Sequence, residues 1–89
     1  MAIVIASHKV KDFATWKPYF DADAKRRKEM NVRVIKECQK ADDPNHIYFI
    51  WEVDDLSIFE SGARDPELRA VMEKAGVIGD LDITVLKEF

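Results

Sequence analysis

Eighty-nine residues, 47% apolar and 35% charged, specify one globular domain, and a net charge of −3 is the wrong sign for a phosphate-backbone partner, so nucleic acid is not expected. The single cysteine, Cys38, excludes an internal disulfide, and no apolar run approaches the ~18–20 residues needed to span a bilayer. The first residues also lack the cationic start and cleavage site of a signal peptide, so the simplest expectation is a cytoplasmic protein with no membrane partner.

In chain order, Ala2 to Lys9 sets Ile3 and Ile5 on one side and Val4, Ala6 and His8 on the other, a strand apolar on both faces. Asp12 is placed to cap a helix, and Phe13, Trp16, Phe20 and Ala24 continue at helical spacing to about Met30. Pro18 is awkward, because a proline deep in a helix costs on the order of 3 kcal/mol. Asp12 to Lys17 is therefore expected to form a separate or distorted turn, with the regular helix beginning near Lys17. The basic run Lys25-Arg26-Arg27-Lys28 falls near the helix end, where cations complement the dipole, and reads as a solvated face. Asn31 tolerates the left-handed conformation that would close the helix.

Val32 to Gln39 alternates but carries Lys36, Glu37 and Gln39, which suits an edge strand. The turn formers from Ala41 to Asn45 join it to His46–Val53 as a hairpin. Ile47, Phe49, Trp51 and Val53 line one face of that strand, and His46, Tyr48, Ile50 and Glu52 line the other, so it too must be covered on both sides. Asp54 or Asp55 caps a short helix through Phe59, and Asp65-Pro66-Glu67 opens a second helical piece. Gly76 ends that piece, Gly79 turns the chain, and Leu81 to Lys87 is the last strand.

The order is β-α-β-β-α-β, a ferredoxin-like α+β domain over residues 1–89. Right-handed crossovers predict an antiparallel sheet with the first and third strands central and both helices on one face. A chain of this length buries only roughly 60–65% of its unfolded surface, and two helices roof one side of a sheet that is apolar on both. The helix-free face is therefore expected to pair with a second copy, giving a twofold homodimer, a dimeric α+β barrel.

This topology brings the two histidines, His8 and His46, to the same end of adjacent central strands, with Asp12, Trp16 and Tyr19 nearby. Histidine near neutral pH serves as acid, base or hydrogen-bonding group, and aromatic walls with few polar groups suit a small-molecule pocket. His8 is the candidate acid/base, and Asp12, Trp16, Tyr19, His46, Tyr48 and Trp51 are the candidate substrate contacts. Taken singly, each has an ordinary alternative: a solvated strand-end histidine, a helix cap, a core or interface aromatic. The signal is their convergence. No His/Cys/Asp cluster has zinc spacing, and no glycine-rich phosphate loop or nucleophile elbow is present, so neither a metal nor another cofactor is expected.

The run from His8 to Lys17, the turn Asp43-Pro44-Asn45, and the segments Asp65–Arg69 and Ala75–Gly79 together resemble a small bacterial group in the dimeric α+β barrel superfamily. That superfamily includes the antibiotic biosynthesis monooxygenases and some polyketide cyclases. The resemblance extends over nearly the whole chain and implies a homodimer acting on a small aromatic or polyketide-like compound. It also implies that the substrate anion itself reacts with oxygen, with no metal or flavin. Residue by residue it points to His8, Asp12 and Trp16, while Asn31 stands where the group usually has glycine. The alternative is a non-catalytic dimer that binds a ligand or serves only as structure.

Overall fold

The computed structural model describes residues 2–89. Its elements run β1 (Ala2–Val10), α1 (Phe13–Ala22), α2 (Ala24–Glu29), β2 (Val32–Lys40), β3 (Asp43–Val53), α3 (Leu56–Ala63), α4 (Pro66–Ala75) and β4 (Val77–Lys87). The strands form one antiparallel sheet in the order β2-β3-β1-β4, so the two strands with two apolar faces are the central ones. Ala6 lies opposite Phe49 and Ile5 opposite Ile50 in the β1–β3 register. Val4, Ala6, His8 and Val10 therefore share the helix-covered face with Ile47, Phe49, Trp51 and Val53, and all eight are buried.

Each of the two helical connections is a pair of helices: the division of the second into α3 and α4 is as expected, and that of the first is not where Pro18 predicts it. Pro18 does not break α1, which begins at Phe13 and runs through it. The proline removes one hydrogen bond, to the Ala14 carbonyl, and Ala14 lies on the exposed side where water can replace it. The break falls instead at Asp23, whose N–H is shared between the Tyr19 and Phe20 carbonyls at 3.2 Å each. Asp55 is the cap of α3, accepting from the Ser57 and Ile58 N–H groups, while Asp54 pairs with Arg33. Gly76 closes α4 in the left-handed conformation, φ 86°. Gly79, also left-handed at φ 73°, does not turn the chain: it sits inside a β4 longer than expected, where the register with β1 shifts between Ser7 and Lys9. A positive φ at this irregularity is the geometry of a bulge, which needs glycine.

Among the buried residues, Trp16, Phe59 and Ala75 come from α1, α3 and α4, and all meet the same sheet face. The helix layer stops short of β4, because Ile83 and Val85 share the face of Ala6 and Val4 yet remain 36% and 44% exposed. On the opposite, helix-free face, cross-strand rows join Lys36, Ile50, Ile5 and Thr84, and then Arg33, Glu52, Ile3 and Leu86. An apolar centre of Ile3, Ile5, Ile50 and Leu86 is thus bordered by the Arg33–Glu52–Asp54 ion-pair group.

Asn45 joins the hairpin to the start of α1, accepting the Phe13 N–H at 2.9 Å on Oδ1 and donating from Nδ2 to the Lys11 carbonyl at 3.4 Å. Asn45→Ala should lower unfolding stability by about 1 kcal/mol, roughly one net hydrogen bond with its orphaned partner. An unchanged urea midpoint would show that this tie contributes nothing to holding α1 in place.

Candidate functional site

Between the sheet and the helices lies a cavity with space of about 90 Å³. Its floor is His8, Phe49 and Trp51; α1 supplies Trp16, Tyr19 and Phe20; Phe59, Val71 and Met72 close the far side; Arg26 and Arg27 stand at the mouth. The aromatics form one continuous group. Trp16 stacks on Phe20 at 4.8 Å between ring centroids, Phe20 on Phe49 at 5.3 Å, and Phe49 on Trp51 at 4.9 Å. The i, i+4 spacing puts Trp16 and Phe20 on one helix face, and period two puts Phe49 and Trp51 on one strand face.

His8 is set into this wall with only 7% of its surface exposed. Its ring meets the edges or faces of Trp16 at 5.5 Å and Phe49 at 5.3 Å. Among the described residues neither Nδ1 nor Nε2 finds a hydrogen-bond partner, and the buried indole Nε1 of Trp51 finds none either. An unpartnered buried polar group costs about 1–3 kcal/mol, so three such atoms on two residues of one cavity wall are a concentrated penalty. Burial pushes the His8 pKa from 6.5 down to about 4, with the nearby His46 charge adding to the effect. His8 is consequently neutral at pH 7, with one ring nitrogen donating and the other accepting.

The sequence-predicted site residues separate into two groups. His8, Trp16, Tyr19 and Trp51 line the cavity together, Tyr19 at its partly exposed mouth. His46 and Tyr48 do not join them. They lie at the expected end of β3, but on the helix-free face, where their rings stack at 4.7 Å. The reason is the strand period: His8 pairs with Ile47, so its neighbour His46 points through the sheet. Asp12 also lies outside the cavity, its carboxylate accepting from the Thr15 N–H and hydroxyl as the α1 cap. The sequence reading missed Phe20 and Phe49 as walls and Arg26 and Arg27 as mouth residues. Lys25 and Lys28 are indeed exposed, but the two arginines between them turn inward. Their i, i+4 and i, i+7 relation to Ala22, Phe20 and the Trp16 face was the available signal. Among the described residues, no group of three His, Cys, Asp or Glu side chains converges to hold a metal, and no helix is long and apolar enough to cross a membrane.

No family model matches the chain, and no curated protein does. A Caulobacter crescentus CB15 protein, provisionally named an antibiotic biosynthesis monooxygenase, superposes with a TM-score of 0.75 at 15% identity, over 99% of this chain and 89% of that one. The chain has the ferredoxin-like fold of the antibiotic biosynthesis monooxygenase-like proteins. A protein of Nitrosomonas europaea with the same provisional name gives 0.70 at 12% identity, covering 99% and 98% of the two chains. An uncharacterized NIPSNAP domain protein from Burkholderia xenovorans gives 0.67 at 14%, covering 100% and 95%. At these identities the likeness to the monooxygenase-like proteins is one of fold.

The buried histidine makes stability depend on pH. The unfolded chain takes up the His8 proton near pH 6.5 and the folded protein only near pH 4. Stability is therefore full above about pH 6.5 and declines as pH falls toward 4, by about 3 kcal/mol at 1.36 kcal/mol per pKa unit. His8→Leu should flatten that part of the profile relative to wild type in urea titrations between pH 7 and 4. Parallel profiles would contradict a buried neutral imidazole.

Proposed function

We propose that this protein is a homodimer that binds a small aromatic or polyketide-like molecule between its helices and sheet and acts on it as a cofactor-independent monooxygenase or cyclase. The observation that carries this reading is the set of three unpartnered buried polar atoms, two on His8 and one on Trp51, on residues that line one largely apolar cavity. A ligand hydroxyl would donate to the accepting imidazole nitrogen, and a ligand carbonyl would accept from Trp51 Nε1–H. In the oxygenation, His8 takes the hydroxyl proton, the electron-rich anion reacts with dioxygen, a ring-adjacent CH2 becomes C=O, and the second oxygen atom leaves as water. The electrons for that water come from the substrate carbon. In a cyclisation, the same proton transfer produces an enolate that attacks a carbonyl within the molecule.

One observation favours a second reading, a receptor without catalysis. A base with a pKa of about 4 faces a phenol near 10, and a proton transfer uphill by about six units costs about 8 kcal/mol before the two new charges attract one another. A neutral histidine that only hydrogen-bonds its ligand avoids this cost. The two readings separate on a panel of hydroxylated aromatics under air. His8→Gln, which keeps hydrogen bonding but cannot carry the proton, should retain binding within about tenfold and lose turnover at least a hundredfold. Binding by wild type with no product and no oxygen uptake across the panel would select the receptor.

The homodimer would form through the helix-free face. Its apolar centre of Ile3, Ile5, Ile50 and Leu86 is half-exposed in the single chain, and its ion-pair border suits the polar rim of an interface. Ile5→Asp at that centre should give a monomer by native mass spectrometry at micromolar concentration. A wild type already monomeric under those conditions, or a variant still dimeric, would remove this face as the interface.

A further inference from the structure

The two arginines at the cavity mouth are partnered very differently. Arg26 is held by carboxylates: Asp23 at 3.1 Å, Asp65 at 3.1 Å and Glu67 at 3.8 Å, which ties α2 to the start of α4. Arg27 has no carboxylate within ion-pair distance among the described residues. It donates from Nη2 to the Phe20 carbonyl at 3.0 Å, and its guanidinium lies 3.8 Å over the Phe20 ring. One of five donors is thus committed, and the planar group rests against the ring that continues the cavity wall inward to Phe49 and His8. Glu37, Asp23 and Asp21 act on Arg27 only from a distance, and partial burial works against its charge.

We propose that Arg27 is an anion subsite at the mouth of this cavity, and that the ligand is a single-ring aromatic acid with its carboxylate on Arg27 and its far-end hydroxyl toward His8. This rests on the reading of the cavity as a ligand site and adds the ligand's charge and size. The cavity space of about 90 Å³ corresponds to about three waters at ~30 Å³ each, and is below the ~150 Å³ of a cavity known to hold benzene. It therefore admits at most a single ring and excludes a fused-ring body, so the acid group of the ligand lies outside it, toward Arg27. A guanidinium already fixed on an aromatic face loses little freedom when it takes a carboxylate in a two-point contact. The deep end, by contrast, offers only the neutral donors and acceptors of His8 and Trp51, so the charged end of the ligand faces outward.

The test is a pair of probes of equal shape, 4-hydroxybenzoate and its neutral amide, titrated calorimetrically into the wild-type protein and into Arg27→Gln and Arg26→Gln. Wild type should bind the acid about tenfold more tightly than the amide. Arg27→Gln should bring the two affinities to within about twofold of each other. Equal binding of acid and amide by wild type would overturn the anion subsite and leave the cavity reading standing. Loss of the preference in Arg26→Gln but not in Arg27→Gln would overturn the assignment to Arg27. Binding of neither probe would overturn both the subsite and the cavity reading on which it rests.

Discussion

The antiparallel register of β1 with β3 sets Ala6 opposite Phe49 and His8 opposite Ile47, and the cavity is a consequence of that pairing. A small residue beside a large one leaves room above β1, and Phe49 occupies it, stacked between Phe20 and Trp51. A slip of β3 by one residue would turn Phe49 and Trp51 away from the helices and bring His46 and Tyr48 beneath them, on the face that His8 keeps. The apolar set of one face is what holds the register, since Val4, Ala6 and Val53 are wholly buried there.

The same face explains both the order and the incompleteness of the site. An aromatic group running from Trp16 to Trp51 gives the cavity rigid walls through stacking contacts that need no polar atoms. His8 and Trp51 then carry hydrogen-bonding groups into a place where the fold supplies no partners for them. A core selected for stability alone would place apolar side chains there, because satisfying or removing such groups recovers the desolvation they cost. Under the proposed function, Trp51 and His8 would supply polar contacts to a ligand, and Trp16, Phe20 and Phe49 would shape the space it occupies.

Much of this was legible beforehand. Period-two alternation in the first and third strands identified both as central and apolar on two faces, and the caps at Asp12 and Asp65 marked where helices begin, while the choice between Asp54 and Asp55 was settled only by the structure. His8, Trp16, Tyr19 and Trp51 were recognisable as a set. Pro18 misled, because a sequence shows the missing N–H but not that its would-be acceptor lies on the solvent side. Gly79 misled similarly, since a left-handed glycine marks a bulge as readily as a turn and only the partner strand distinguishes them.

The chain's own alternation determined the strand faces, the two-sided burden of the central strands and the helix starts, because these depend on local spacing and on the preferences of single residues. Tertiary structure alone decided that His46 and Tyr48 lie across the sheet from His8, that Asp12 is spent on a cap, and that Arg27 turns inward over Phe20 while Arg26 is bound by three carboxylates. Those outcomes depend on which distant segments meet. No local period encodes that, since Arg26 and Asp65 are 39 residues apart.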